Sequence, residues 1–348
     1  MVPGFSADAA DWCIPAIRHL VRQLARTDAV RVFAIRYPYR AGAYGIDGAA
    51  VHALGGAKRR GLATLGLWQH SLQLLHDEHR RRPFDVLHAF WATESGLLAA
   101  IAGRVLRVPV IVSLAGGELV GFPDIGYGDQ LVPFERLKVR ASLRLATVVT
   151  AGSHAYRLLA KRFRRIEYAP LGVDVDLFKP PNDQRPGGLI HVGSLTPVKD
   201  QATLIRAAAK LRDLDVIGDG PLRQRLEHIS TGNVTFRGAI RHDELPAAYQ
   251  AASVFVMSSR HEAQCMAALE AAACGLAIVG TRVGIIPELE PTASIAVNVG
   301  DAQRLASAVE RVAQESGRGC AARELVCERY SLAGCAQRFR AIYARLSG

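Results

Sequence analysis

The chain has 348 residues, 49% hydrophobic, which suggests two domains with real cores and leaves no window near the length of apolar run that spans a membrane. Six cysteines (Cys13, Cys265, Cys274, Cys320, Cys327, Cys335) form no C-x-x-C pair, which excludes a zinc or disulfide framework and reads as buried thiols in a reducing cytosol. A net charge of +11 points to nucleic acid, anionic membrane or phosphorylated small molecules, and 7% aromatic content without a recognition helix or RNA-binding motif sets nucleic acid aside.

Residues 1–7 (MVPGFSA) contain Pro3-Gly4-Phe5 but no predicted strand, and no signal-peptide pattern. Residues 11–25 are an amphipathic helix with Ile14, Ile17, Leu20, Val21 and Leu24 on one stripe. A doubly wound domain places such a helix after a central strand, so the expectation is that the first strand is missing and that the true N-terminus lies upstream of Met1. Strands are predicted over 30–37, 51–54, 84–90, 108–114, 147–151 and 166–170, alternating with helices over 62–79, 96–106, 135–146 and 153–164. This alternation implies parallel pairing with right-handed crossovers. The run His79-Arg80-Arg81-Arg82 reads first as a solvated helix end, and second as a membrane-docking segment.

Prolines and glycines make 179–188 a linker between a first domain, 1–178, and a second, 189–329. The second domain opens with a strand at 189–193, a turn through Ser194 to Asp200 and a helix to Leu211. A strand and glycine turn at 215–220, a strand at 234–238 and a helix at 245–252 follow. Residues 252–257 are a short apolar run suited to a buried parallel strand. Polar residues 258–262, an Ala-rich helix over 265–274, the stop at Gly275 and a strand at 276–280 come next. A turn at 284–288, a last strand at 294–299 and helices at 302–315 and 331–346 complete the chain.

Glu262 lies in the polar turn and Glu270 inside the helix, eight residues on. On a helix that is roughly 12 Å along the axis. The helix N-terminus between them favours an anion, so the pair suits a ligand with phosphate in the middle and hydroxyl-rich ends, a nucleotide sugar. Leu269 and Ala271 to Ala273 surround Glu270, and a carboxylate in such a setting needs a partner. The polar candidates of this domain all fall at strand carboxyl ends or adjoining helix starts, where an open parallel sheet presents its ligand crevice.

Glu262, seven residues, Glu270 and then Cys274-Gly275 resemble the E-x7-E signature of retaining glycosyltransferases of the GT-B fold, family 4. The resemblance implies an α/β architecture of two Rossmann-like doubly wound parallel-sheet domains facing a central cleft, the first completed by the C-terminal helix 330–346. It implies that Glu262 contacts the donor sugar and that Glu270 holds the ribose hydroxyls. Gly193 to Lys199 resemble the family's glycine-turn-lysine segment, in which the lysine grips the diphosphate. Gly218-Asp219-Gly220-Pro221-Leu222 resemble its G-x-G-P-L element near the base, and Gly238 ends a strand that meets the base through backbone. Gly284-Ile285-Ile286-Pro287-Glu288 resemble its G-G-x-x-E turn, with Ile285 in place of the second glycine. Ser194 stands where the family usually has Arg, with Arg260 and Arg282 as substitutes by loop position. Ala263-Gln264-Cys265 stand where it has Gly-Phe-Gly, and with Met266 their amides are expected to face the donor. Acceptor-side candidates are Gly4, His88, Gly116 and Glu118. Ala115 occupies the family's His position, leaving His88 or Glu118 to supply the polar group, although a buried, hydrogen-bonded histidine is the commoner reading of His88. Asp174/Asp176 and Asp213/Asp215 imitate the metal-binding D-x-D of the other glycosyltransferase fold, but one pair sits at the linker and the other leads into a strand. The resemblance is dense over 170–290 and weaker before 120.

The expectation is therefore metal-independent, cofactor-independent retaining transfer from a nucleotide diphosphate sugar, with Glu262 and Lys199 as catalytic residues. The acceptor is a glycan, a lipid-linked molecule or a small molecule. Peripheral contact at the inner membrane face through the basic first domain is a second expectation, and a part in polysaccharide biosynthesis follows from the family's habits. The alternatives are a phosphorylase or nucleotide-sugar epimerase on the same fold, or a catalytically silent nucleotide-sugar-binding protein.

Overall fold

Short apolar runs closed by glycine or polar turns pair into parallel sheets in the computed structural model, which describes residues 1–56, 61–161, 166–182, 187–209, 211–315 and 317–348. The chain divides into two units. Unit 1 holds Met1–Gly152, Tyr156–Leu171 and Cys335–Gly348, and unit 2 holds Ser153–Ala155 and Gly172–Gly334.

Unit 1 runs β1 (Val2–Gly4), α1 (Pro15–Leu24), β2 (Arg31–Tyr37), β3 (Ala41–Ile46), β4 (Ala49–Leu54), α2 (Leu62–Arg81), β5 (Leu87–Phe90), α3 (Glu94–Leu106), β6 (Val110–Leu114), α4 (Pro133–Leu145), β7 (Val148–Ala151), α5 (His154–Ala160) from Tyr156 onward, and β8 (Glu167–Tyr168). Its strands pair in the orders β1-β2-β4-β3 and β5-β6-β7-β8. Phe90 N donates to Met1 O at 3.1 Å and joins the two sets. The chain thus moves outward from β1 in one direction and from β5 in the other, which puts a topological switch point at their carboxyl ends. The core gathers Phe5, Ile17, Leu20, Val32, Phe90 and Ile111 with Phe339 and Ile342 of the last helix.

Two elements of unit 1 differ from the sequence reading. A strand does precede α1: Val2 pairs with Ala34 and Gly4 with Tyr37, in parallel with β2. Three residues with a proline among them are too few to register as a pattern. A cavity of about 690 Å³ lined by Val2, Leu20, Val32, Leu87 and Tyr343 adjoins it. β3 was not predicted, because its sequence AGAYGI is mostly exposed and lacks an apolar face; it is an antiparallel edge on β4.

Unit 2 contains β9 (Leu189–Val192), α6 (Gln201–Ala208), β10 (Leu214–Ile217), α7 (Arg223–Ile229), β11 (Val234–Gly238), α8 (Leu245–Gln250), β12 (Val254–Met257), α9 (Met266–Ala273), β13 (Ala277–Thr281), β14 (Ser294–Val297), α10 (Ala302–Gln314), α11 (Arg318–Arg329) and the start of α12 (Leu332–Ser347). Its sheet is parallel, in the order β11-β10-β9-β12-β13-β14. β12 and β13 are buried along their whole length, which is why they read as unbroken apolar runs. Leu204, Ile205, Val216, Val256, Val279 and Leu305 are among the residues of its core. Gly275, at φ +77°, ends α9 as expected of a left-handed C-terminal stop. α11 was not predicted, since its twelve residues carry little apolar periodicity.

The end of the helix expected over 153–164, residues 183–186 of the expected linker and residue 210 of the helix expected to reach Leu211 lie outside the described residues. The cysteines are not uniformly buried as expected: Cys274 and Cys335 are, Cys13, Cys265 and Cys327 are partly so, and Cys320 is exposed on α11. No helix among the described residues is long and apolar enough to cross a membrane.

Candidate functional site

In unit 2 the sheet order reverses between β9 and β12, so the loops leaving these two strands flank a switch point. Three glycine turns build one side. Gly193 N donates to Ile217 O at 2.9 Å, Leu195 N to Asp219 O at 3.0 Å and Gly218 N to Gly238 O at 2.8 Å. Gly218 has φ +132°, and a Cβ there would lie 2.1 Å from Gly193 O. Only glycine permits both the angle and the approach. Asp219 is exposed and folds back, its Oδ1 accepting from Gly220 N at 2.7 Å.

The loop after β12 builds the other side. Ser258 Oγ bonds to the carbonyls of Lys199 and Asp200 at 3.1 and 2.8 Å, and Arg260 N donates to Val198 O at 2.7 Å. Thr281 Oγ1 donates to Ser259 O at 2.6 Å. These bonds bring Lys199 Nζ to 2.6 Å from Glu262 Oε1, with 25% and 11% of the side chains exposed. Ser259 Oγ donates to the same carboxylate oxygen at 2.7 Å. Beneath the loops, His191 is buried. A carbonyl can only accept, so His191 Nδ1–H donates to Val256 O at 3.0 Å and Nε2 receives Gln201 Nε2 at 3.3 Å. Burial lowers the His191 pKa to about 4 and keeps the ring neutral. Gln201 also donates to Ser194 O at 2.8 Å, fixing the turn whose exposed Ser194 replaces the expected cation.

The departures near Glu262 have physical reasons. Cys265 has φ +82°, a left-handed conformation that glycine adopts without cost, so the third position of Ala263-Gln264-Cys265 is where glycine would fit best. Its sulfur lies 3.3 Å from Met257 Sδ, and burial, then Glu262, push the thiol up to about 12, which leaves it unreactive. Gln264 is buried and its carbonyl accepts from Ile285 N at 2.8 Å. Gly284 is required there: at φ +57°, a Cβ would meet Gln264 O at 2.5 Å and Glu262 Cβ at 2.7 Å. Met266 opens α9, and no side chain caps that helix N-terminus. Its first N–H groups and dipole therefore face the same region as Lys199.

Glu270 is 7% exposed within α9. Its Oε1 is 3.1 Å from His242 Nε2 and its Oε2 accepts from Tyr249 OH at 3.1 Å. Burial and then Glu270 itself raise the Tyr249 pKa well above its usual value, so the hydroxyl remains a donor. His242 packs edge-on against Phe178 at 5.3 Å. Sequence reasoning demanded a partner for Glu270 but did not find these two. The available signal was a tyrosine in the helix just upstream, since a buried Tyr hydroxyl seeks an acceptor. Arg223 was missed too: its NH1 lies 3.2 Å from where a Cβ of Gly238 would sit. Arg282, expected as a substitute cation, is tied to Glu290 at 2.7 Å and to Ala296 O at 3.0 Å.

The unit 1 candidates turn inward. Gly4 packs tightly, a Cβ there lying 3.1 Å from Tyr37 Cβ. His88 bonds to Tyr343 OH and Ser113 Oγ, each at 2.7 Å, and its ring packs between Phe90 and Phe339. Burial lowers its pKa to about 3. Glu118 is fully buried and accepts from Ala115 N, Gly116 N and Tyr156 OH at 3.0, 2.7 and 2.9 Å, so it shapes the loop after β6. A Cβ at Gly116 would meet Trp91 Nε1 at 2.8 Å. Asp174 Oδ1 caps a local turn through Asp176 N and Leu177 N, both at 3.2 Å, and Asp215 pairs with Arg237 at 3.0 Å.

Comparison with known proteins bears on family and fold. A family model described as glycosyl transferases group 1 matches residues 186–315, and one described as a glycosyl transferase 4-like domain matches 14–172. A sulfoquinovosyl transferase of Arabidopsis thaliana is 28% identical over 64% of this chain and 47% of its own length. A GDP-mannose-dependent alpha-(1-6)-phosphatidylinositol monomannoside mannosyltransferase of Mycolicibacterium smegmatis is 31% identical over 57% of this chain and 58% of its own. The chain thus spans about half the length of the curated relatives it matches. A sucrose-phosphate synthase from Thermosynechococcus elongatus superposes with a TM-score of 0.79 and 21% identity, over 95% of this chain and 92% of that one, a likeness of fold.

Proposed function

The chain belongs to the group 1 glycosyltransferases of the GT-B fold, and on that premise we propose that it transfers a sugar from a nucleotide diphosphate sugar with retention of anomeric configuration and without a metal ion. The observation that most supports this is the Lys199–Glu262 pair at the β9/β12 switch point, with Glu270, one turn into α9, held by His242 and Tyr249.

In this reading the donor's ribose hydroxyls donate to Glu270. Its diphosphate lies between Lys199, the turns at Gly193 and Gly218, and the N-terminus of α9, with Asp219 and Gly238 toward the base. Lys199 and the loop amides at Ala263 to Met266 stabilise the charge that develops on the departing diphosphate, the electrostatic assistance that oxyanion sites supply. Glu262 orients the sugar, and the acceptor attacks from the face the leaving group departs, assisted by a diphosphate oxygen. Lysine suits the role of a compact cation that exchanges one anionic partner, Glu262, for another. The mannosyltransferase relative is named for a nucleotide sugar and a phosphatidylinositol acceptor, which supports a nucleotide sugar as donor here and keeps a lipid-linked acceptor beside a glycan or small molecule.

The test is product analysis. UDP-, GDP- and ADP-sugars are incubated in EDTA with candidate acceptors, and the anomeric configuration of any product is read by NMR. Transfer with the donor's configuration, lost in Glu262→Gln and Lys199→Ala, is expected. Inverted product, or transfer that appears only when a divalent metal is added, overturns the proposal.

A further inference from the structure

α4 buries one side and leaves the other bare. Lys138, Val139, Ser142 and Leu143 face inward, and Ser142 abuts Gly96 of α3, where a Cβ would come within 3.3 Å of its hydroxyl. On the outer side, Phe134 and Leu137 are 55% and 62% exposed, and Leu131 and Val132 precede them, also exposed. Trp68 of α2 stacks on Phe134 at 6.3 Å and 7°, and Leu65, one turn back, is 55% exposed. Scattered single apolar side chains are ordinary on a protein surface; contiguous ones of this size mark a contact surface.

Cations run beside this patch. Arg136, Arg140 and Arg144 recur every fourth residue and all are exposed, a line about 12 Å long on one helix face. Among the described residues none of the three guanidiniums forms an ion pair, and the one acid of α4, Glu135, is paired with Lys138 at 2.6 Å. Arg104 of α3 and Arg107, just past its end, line a depression with Leu145 and Thr147 at the far end of α4.

We propose that this outer face of α4, with Leu65 and Trp68 of α2, docks on the surface of an anionic lipid bilayer. A short helix with arginines along one edge and Phe, Leu and Val beside them lets guanidiniums meet headgroup phosphates while apolar side chains enter the acyl boundary. Charge complementarity and the apolar centre together select this partner. A purely electrostatic partner has no use for Phe134 and Leu137, and a purely apolar one has none for three arginines in register. The basic run at 79–82 is a different surface: His79 packs on Phe84 and accepts its N–H, and Arg81 pairs with Glu78 at 2.8 Å. The inference stands independently of the donor site.

The test is co-sedimentation of the full chain with vesicles of phosphatidylcholine alone and of phosphatidylcholine mixed with phosphatidylglycerol. Binding to the mixed vesicles alone is expected. It should fall at least about 10-fold in Arg136→Glu/Arg140→Glu/Arg144→Glu, fall comparably in Phe134→Ser/Leu137→Ser, and persist in Arg80→Glu. Circular dichroism and thermal melting establish that each variant is folded. Absence of binding by the folded wild type overturns the proposal, as does binding that survives both surface variants. Equal affinity for duplex DNA, lost in the arginine variant but untouched by Phe134→Ser/Leu137→Ser, also overturns it, in favour of a nucleic-acid surface.

Discussion

Lys199 Nζ and Glu262 Oε1 are 2.6 Å apart although 63 residues separate them in the chain. The pair exists because β9 and β12 are neighbours in the sheet and their loops are sewn together by Ser258 and by Arg260 N. In the proposed reading, this ammonium, one-quarter exposed and matched to a carboxylate, exchanges that partner for the donor's diphosphate. Lys199→Ala should therefore weaken donor binding about 10- to 100-fold, the value of a charge-assisted contact. Glu262→Gln should instead lower kcat by about 100-fold while changing donor affinity less than about 3-fold. Titration calorimetry and steady-state kinetics on the two variants check this. The opposite pattern would exchange the two roles.

Glu270 depends on two donors the sequence did not advertise. Tyr249→Phe leaves one oxygen of a buried carboxylate without its hydroxyl and should cost about 1–3 kcal/mol in stability by urea unfolding. Donor affinity should fall by about 10-fold, because the carboxylate loses its fixed orientation. Unchanged affinity would show that Tyr249 serves the fold alone.

Cys265 carries a conformation suited to glycine. Cys265→Gly should change stability by less than about 1 kcal/mol, relief of backbone strain offsetting the lost sulfur packing and the added freedom of the unfolded chain. Cys265→Val, β-branched at φ +82°, should destabilise by about 2 kcal/mol or more. Thermal melting distinguishes the two, and equal losses would contradict the strain argument.

His191 predicts acid sensitivity. Its folded pKa, lowered by burial to about 4, lies below the unfolded value near 6.5. The unfolded state therefore binds more protons between these values. The stabilisation is complete above pH about 6.5 and is lost as pH falls toward 4, by up to about 3 kcal/mol. His88, lowered to about 3, acts in the same direction. Urea midpoints measured down this range should fall for the wild type and fall less steeply for His191→Gln; parallel curves would assign the effect to other groups.

The unit 2 candidate site was legible in sequence because its residues lie on strand ends and glycine turns, which sequence pattern reports directly. Gly218 and Gly284 are glycines for reasons of approach that local sequence can signal. The partners of Glu270 were not legible, since His242 and Tyr249 reach it only through the packing of α8 and the loop after β11. In unit 1, His88 and Glu118 stood out as polar residues at strand ends, yet both are consumed by internal hydrogen bonds that no spacing foretells. β1 was invisible because three residues carry no period, and the run at 79–82 drew attention from the arginines of α4, which are spaced rather than contiguous.

The most direct measurement is isothermal titration of UDP-, GDP- and ADP-sugars against the protein in EDTA, beside Glu270→Ala and Lys199→Ala. The account predicts that one diphosphate sugar binds the wild type without metal and that each variant, still folded, binds it at least about 10-fold more weakly. Binding that is undiminished in both variants would contradict the assignment of the donor site.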